Sequence, residues 1–231
     1  MERPDIVLLR PQPGAARSAA TARSMGLNAL IAPIFGIVPI RWSPPSAKDH
    51  DAIVFTSAAA PHQAGSALAA YTHLPCYAVG DATAEAARLA GFSLIREGSS
   101  DAAALALMIN ADGVARPLHL CGQDSVGLPL GNVVQRIVYS AEALSTLESD
   151  AAEALREGAI ALLHSPRAGR HFASLAEQTG LSRSRIRIAA ISDAAAAAVG
   201  PGWREVAVAA APRDPVLLEL ARSMCNKREP S

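Results

Sequence analysis

The chain has 231 residues, half of them hydrophobic and only 4% aromatic, with 21 basic and 21 acidic side chains. That length suits two domains of about 100–120 residues, and the balanced charge argues against bulk attraction to nucleic acid or to a membrane surface. Three cysteines (76, 121 and 225) without CxxC spacing fit a reducing cytoplasm, and the apolar run at 6–9 is too short for a signal peptide, so a soluble cytoplasmic protein is expected.

In chain order, apolar runs at 6–10, 29–31, 52–56, 76–79, 93–96, 117–121, 133–139, 160–164, 186–191 and 206–209 read as strands. Helical stretches fall between them at 15–25, 82–90, 101–110, 169–179, 194–199 and 215–224, with Gly26, Gly91 and Gly180 where a helix should stop. This alternation is the rhythm of βαβ units. The expected fold class is therefore α/β, with two similar small domains, each a five-stranded parallel sheet flanked by helices. The run at 28–40 is interrupted by Pro33, Gly36 and Pro39 and predicts no membrane span. Polar, proline- or serine-bearing stretches at 41–51 and 140–150 read as connections.

Strand ends recur in pairs. Phe55-Thr56-Ser57 and Leu163-His164-Ser165 each close an apolar run, and Val79-Gly80-Asp81 and Ile191-Ser192-Asp193 do the same 20 to 30 residues later. Small, hydroxyl or Asp residues at such junctions cap helices and leave backbone N–H groups for an anionic ligand. Thr56, Ser57, Thr83 and Ser165 accordingly read as caps, as do Asp81 and Asp193. Asp101 and Asp214 each precede leucines on one helical face and read the same way. The units run short, long, short, long along the chain, a duplication rather than a solenoid. The repeat alone leaves two pairings open: consecutive units as domains, or a chain that crosses out and returns.

The six histidines (50, 62, 73, 119, 164 and 171) show no HExxH and no spacing with acids or cysteines that suits a metal. There is no G-x-G-x-x-G, P-loop or G-x-S-x-G. No metal or cofactor is expected.

Leu8-Leu9-Arg10-Pro11, Asp51 to Ala58 (DAIVFTSA), Val79 to Ala84 (VGDATA), Gly91-Phe92, Leu120-Cys121-Gly122, Val138-Tyr139, Ser165-Pro166 and Ala190-Ile191 together resemble the uroporphyrinogen-III synthase family. The resemblance runs from Val7 to about Leu220. It implies two α/β domains joined by a two-stranded linker: residues 1–36 plus 142–231 as a discontinuous domain, 37–141 as the inserted one, and an active-site cleft between them. It implies a monomeric, cofactor-free hydro-lyase that cyclises hydroxymethylbilane, a linear tetrapyrrole, with loss of water and inversion of the last pyrrole ring, on the route to haem. Tyr139 is the implied catalytic residue. Implied substrate contacts are Arg10, Thr56, Ser57, Ala58, Gly80, Asp81, Thr83, Cys121, Gly122, Ser165, Pro166, Arg167 and Ser192. One departure stands out: Ala194-Ala195 occupies the place of the family's threonines. A non-catalytic relative that binds an anionic ligand is the alternative this departure favours. A phosphosugar-binding pair of domains would share the α/β rhythm but predicts a more glycine-rich phosphate loop.

Overall fold

The computed structural model describes residues 3–98, 102–125 and 127–226. In chain order its elements are β1 (Ile6–Leu8), α1 (Gly14–Ser24), β2 (Ala29–Ile31), β3 (Phe35–Pro39), β4 (Ala52–Phe55), α2 (Ala59–Gln63), β5 (Cys76–Val79), α3 (Asp81–Leu89), β6 (Ile95–Gly98), α4 (Ala102–Ala111), β7 (Pro117–Gly122), β8 (Val134–Ala143), α5 (Ser149–Arg156), β9 (Ile160–Leu163), α6 (Pro166–Gln178), β10 (Arg187–Ala190), α7 (Asp193–Val199), β11 (Glu205–Val208) and α8 (Asp214–Asn226). They form two compact units. Unit 1 takes the chain up to Gly36 and again from Ala143, and unit 2 is Ile37–Glu142.

Unit 1 holds one sheet in the order β11-β10-β9-β1-β2, every described pair parallel. Every residue of β1, β9 and β10 is buried, as expected of parallel strands covered on both faces. On one face Ile6, Leu8, Ile160 and Leu162 pack with Ala22 of α1 and with Leu217, Leu218 and Ala221 of α8. Elsewhere in the unit α6 and α7 meet backbone to backbone: a Cβ on Gly169 would lie 2.8 Å from the Ala195 carbonyl oxygen. Phe172 stacks on Trp203 beside this contact, ring centroids 5.5 Å apart. Helix stops follow the glycine rule. At Gly180, φ is +66° and the Leu181 N–H reaches back to the Ala176 carbonyl, the 6→1 bond of a Schellman motif.

Unit 2 holds six strands in the order β3-β8-β7-β4-β5-β6. Five of these are parallel and correspond to apolar runs in the sequence. The sixth, β3, was not expected. The Ile40 N–H bonds the Val138 carbonyl and the Leu144 N–H bonds the Ile34 carbonyl, so partner numbers fall on one strand as they rise on the other, the mark of antiparallel pairing. Pro33 and Pro39 do not forbid β3 because it lies at the sheet edge, where one side of the strand needs no donors. Ile53, Phe55, Leu118, Leu120 and Phe92 fill one face of the sheet, and Ala52, Val54, Tyr77, Leu105 and Ile109 the other. The 41–51 stretch is tied down within this unit: Trp42 stacks on Tyr71 and donates Nε1–H to the Ala64 carbonyl, and the Tyr71 hydroxyl donates to the Pro45 carbonyl.

Several caps differ from expectation. Gly80 and Ser192 are the N-caps of α3 and α7, so Asp81 and Asp193 are the first helical residues rather than caps. Ser165 caps α6 as expected, accepting from the Ala168 N–H, and Pro166 follows at the first helical position. Thr83 sits inside the first turn of α3, buried, and the Thr56 hydroxyl pairs with His119 instead of with a helix end. Asp214 opens α8 but turns its carboxylate away from the helix, toward His164, Ser18 and Arg10. Asp101 lies outside the described residues. No helix among the described residues is long and apolar enough to cross a membrane.

Candidate functional site

In unit 2 the strand C-termini of β4, β5 and β7 bring their following residues to one edge of the sheet. Gly122 is opposite Tyr139 across a register shift between β7 and β8. A Cβ on Gly122 would come within 2.5 Å of the Tyr139 ring and 2.8 Å of its hydroxyl, so only glycine lets the ring lie there. Ser57 lies near the Tyr139 side chain, and its Oγ accepts the Ala59 N–H at 3.2 Å. Burial raises the Tyr139 pKa above the ordinary phenol value, and the nearby Ser57 works the other way. The phenol therefore stays protonated at neutral pH and can serve as a donor.

Other residues expected at this edge take varied places. Ala58, Thr83 and Cys121 have buried side chains. The Cys121 sulfur accepts from Gln135 Nε2 at 2.8 Å, and burial pushes its thiol pKa up. The Gly80 N–H is engaged by the Gly98 carbonyl. Asp81 lies near Glu97 and is the chief cause of the raised Glu97 carboxyl pKa. Two carboxyls at the start of α3 oppose an anion there, contrary to the anion-receptive edge read from the sequence. On the Gly122-Tyr139 side of the edge, Asp124 is the acidic residue that acts on Tyr139.

In unit 1, Arg10 follows β1 and His164 follows β9. Arg10 Nη1 meets Asp214 Oδ1 and Ser18 Oγ, each at 3.2 Å, and His164 Nε2 meets the same Asp214 oxygen at 2.7 Å. The Ser18 hydroxyl, fully buried, lies 2.8–2.9 Å from both Asp214 oxygens. Burial opposes the Asp214 charge, but the bonds from His164 and Ser18 and the charges nearby outweigh it and hold its pKa below the usual value. Burial likewise lowers the His164 pKa, against the pull of Asp214, so the imidazole is neutral near pH 7 and donates Nε2–H. Gly14 makes room for Arg10: a Cβ there would lie 2.6 Å from Nε of the guanidinium. Arg10 is thus an internally paired residue, with part of its side chain exposed. Arg167 lies over the Phe35 ring, 4.7 Å from its centroid. Ser192 accepts the Ala195 N–H.

The replacement of threonines at 194–195 now has a location. Ala195 is fully buried against Gly169 of α6, whereas Ala194 is exposed.

Sequence reading missed His119 and the His164–Asp214–Ser18 group. His119 interrupts an otherwise apolar strand, Pro117–Gly122, and a polar residue in a run buried at every position was the available signal. Asp214 looked like an ordinary helix start. Its partners come from distant parts of the chain, and no local pattern announces them. Among the described residues no three His, Cys, Asp or Glu side chains gather as a metal site would require.

Largely parallel sheets flanked by helices define this as an α/β protein. The family model described as Uroporphyrinogen-III synthase HemD matches residues 16–219, and the chain belongs to the uroporphyrinogen-III synthase family, enzymes of haem biosynthesis that bind a tetrapyrrole substrate. The crystal structure of uroporphyrinogen-III synthetase from Helicobacter pylori is similar at a TM-score of 0.60 and 16% identity, covering 96% of this chain and 99% of that one. Uroporphyrinogen III synthase from Thermus thermophilus is similar at a TM-score of 0.41 and 15% identity, covering 97% and 99%. No curated protein matches the chain.

Proposed function

We propose that the chain is a uroporphyrinogen-III synthase, closing hydroxymethylbilane without a cofactor, with loss of water and inversion of the last pyrrole ring. Within this reading residues 1–36 plus 142–231 and residues 37–141 act as two domains, and the substrate is held between them in a cytoplasmic monomer. The observation that carries it is the protonated Tyr139 phenol lodged against Gly122 at a strand edge, in a chain of this family.

The chemistry needs little force and much control. Linear tetrapyrrole closes spontaneously without inversion, so the protein has to favour one of two accessible barriers by orientation. A preference of about 3 kcal/mol leaves less than roughly 1% of the uninverted product, since each 1.36 kcal/mol is tenfold. Tyr139 passes its phenol proton to the departing hydroxyl of the first ring, which leaves as water, and takes back the proton that the last ring releases on closure. The last ring then attacks through its substituted carbon, passes through a spiro intermediate and reattaches reversed. Backbone N–H groups near Thr56, Ser57 and Ala58 in unit 2, and near Ser165 and Arg167 either side of Pro166 in unit 1, hold substrate carboxylates, with Ser192 and Arg10 beside Ser165 on the unit 1 sheet.

The test supplies fresh hydroxymethylbilane, oxidises the products and separates the porphyrin isomers. The wild type yields the inverted isomer faster than spontaneous closure, and Tyr139→Phe loses about 10²–10⁴ in rate, the span typical of a lost general acid. Only the uninverted isomer at the spontaneous rate rejects the enzyme. Heat protection by product alone would then identify a binding protein.

A further inference from the structure

We propose that His119 is a positioning residue: its Nε2–H donates to Thr56 Oγ1, which turns the Thr56 hydroxyl proton outward to bond a carboxylate of the bound tetrapyrrole. The inference deepens the proposed reaction and rests on it for the identity of the ligand.

Thr56 follows β4 directly, and Val54 and Thr56, two residues apart, point to the same face. In the parallel register His119 of β7 lies opposite Val54. The imidazole thus sits one step below the strand end, under the Thr56 side chain, with Nε2 3.1 Å from Thr56 Oγ1. His119 is fully buried, and this burial lowers its pKa to about 4. The ring is neutral at physiological pH, so one nitrogen carries hydrogen and the other a lone pair.

Which nitrogen carries it follows from the surroundings. Nδ1 is buried with no hydrogen-bond partner. An orphaned buried N–H is rarer in proteins than an under-satisfied acceptor, and leaving any buried donor unmade is costly. The hydrogen therefore sits on Nε2 and goes to Thr56. A hydroxyl has one donor and two acceptor lone pairs. With His119 on the acceptor side, the Thr56 proton is left for a group beyond the strand end. Thr56 is partly exposed and next in the chain to Ser57, and Gly122, which packs on Tyr139, belongs to the same strand as His119. The residue type matters: an apolar residue at 119 would leave the hydroxyl free to turn inward.

Two measurements decide it. Two-bond ¹⁵N–¹H spectra of the wild-type protein read the tautomer without any variant or turnover. The Nε2–H pattern for His119 is expected, and the Nδ1–H pattern overturns the proposal. Second, KM and kcat for hydroxymethylbilane are compared across T56V, T56S, H119L, H119Q and the T56V/H119L double variant. T56V should raise KM about tenfold, the worth of a hydrogen bond to a charged group. H119L should raise KM less, and adding it to T56V should change nothing further. T56S and H119Q, which restore a hydroxyl and a side-chain N–H, should recover most of the loss. Additive effects in the double variant, or unchanged KM in both singles, overturn the proposal. A wild type that turns nothing over sinks the proposed reaction instead, while the tautomer result still decides the pairing.

Discussion

Tyr139 and Gly122 form one functional pair, because the ring occupies the volume a side chain at 122 would fill. Gly122→Ala should therefore behave like a Tyr139 variant. We expect loss of inverted product with the fold retained and a stability cost of about 1–3 kcal/mol, the usual range for overpacking. An unaltered isomer ratio would separate the two residues. Asp214 is the corresponding residue of unit 1, an acceptor for Arg10, Ser18 and His164. Asp214→Asn should cost roughly 1–3 kcal/mol at pH 7, the scale of lost hydrogen bonds to a charged group.

The sign of its pH dependence follows from the shifts. The folded pKa of Asp214 is lowered, so its contribution is complete above the ordinary Asp value and is lost as pH falls through the folded one. The His164 pKa is also lowered, so the neutral ring contributes fully above its ordinary value and acidification removes that too. Urea unfolding of wild type and Asp214→Asn should converge as pH drops below the usual carboxylate range. A gap that does not change with pH would exclude the carboxylate as its source.

At the scale of elements, periodicity carried most of the information. The ten strands read from apolar runs are all present, and β1, β4, β9 and β10 are buried at every residue, as parallel strands covered on both faces require. β3 escaped because Pro33, Gly36 and Pro39 look like breaks until the strand is known to lie on an edge. Ser165 shows a cap that local chemistry did announce: Ser, then Pro, then a helix with buried Phe172, Leu175 and Ala176. Ser165→Ala should cost about 1 kcal/mol, as N-cap removals do. If thermal melts of the two proteins coincide, α6 is held by packing alone. Tyr139 and Gly122 entered the candidate site through family resemblance. Their mutual contact, like the His119–Thr56 bond, depends on strand register, which neighbouring residues in the chain do not encode.

At the scale of the molecule, the proposed reaction requires that one polyacid engage both units. Hydrogen exchange with and without product provides the measure. Slower exchange is expected in unit 2 near Thr56 to Ala58 and Gly122, and in unit 1 near Ser165 to Arg167 and Ser192. Protection confined to one unit would count against a shared ligand, whatever the isomer assay returned. The strand-to-helix junctions of the two units were legible because the strand-end motif recurs. The acidic pair Asp81–Glu97, which sets α3 apart from its counterpart, was not, because Glu97 reaches that helix start from β6, a separate strand.

β1 lies inside the unit 1 sheet, between β2 and β9, and the whole of unit 2 intervenes before β9 in the chain. During synthesis at about 5–20 residues per second, the greasy segment Ile6–Leu8 therefore waits several seconds or more for its neighbour to emerge. Unit 2 can complete its own sheet in that interval. The nascent chain's early exposure makes its first 36 residues the natural target for a holding chaperone, and ribosome-bound intermediates halted before residue 160 should be the ones that aggregate.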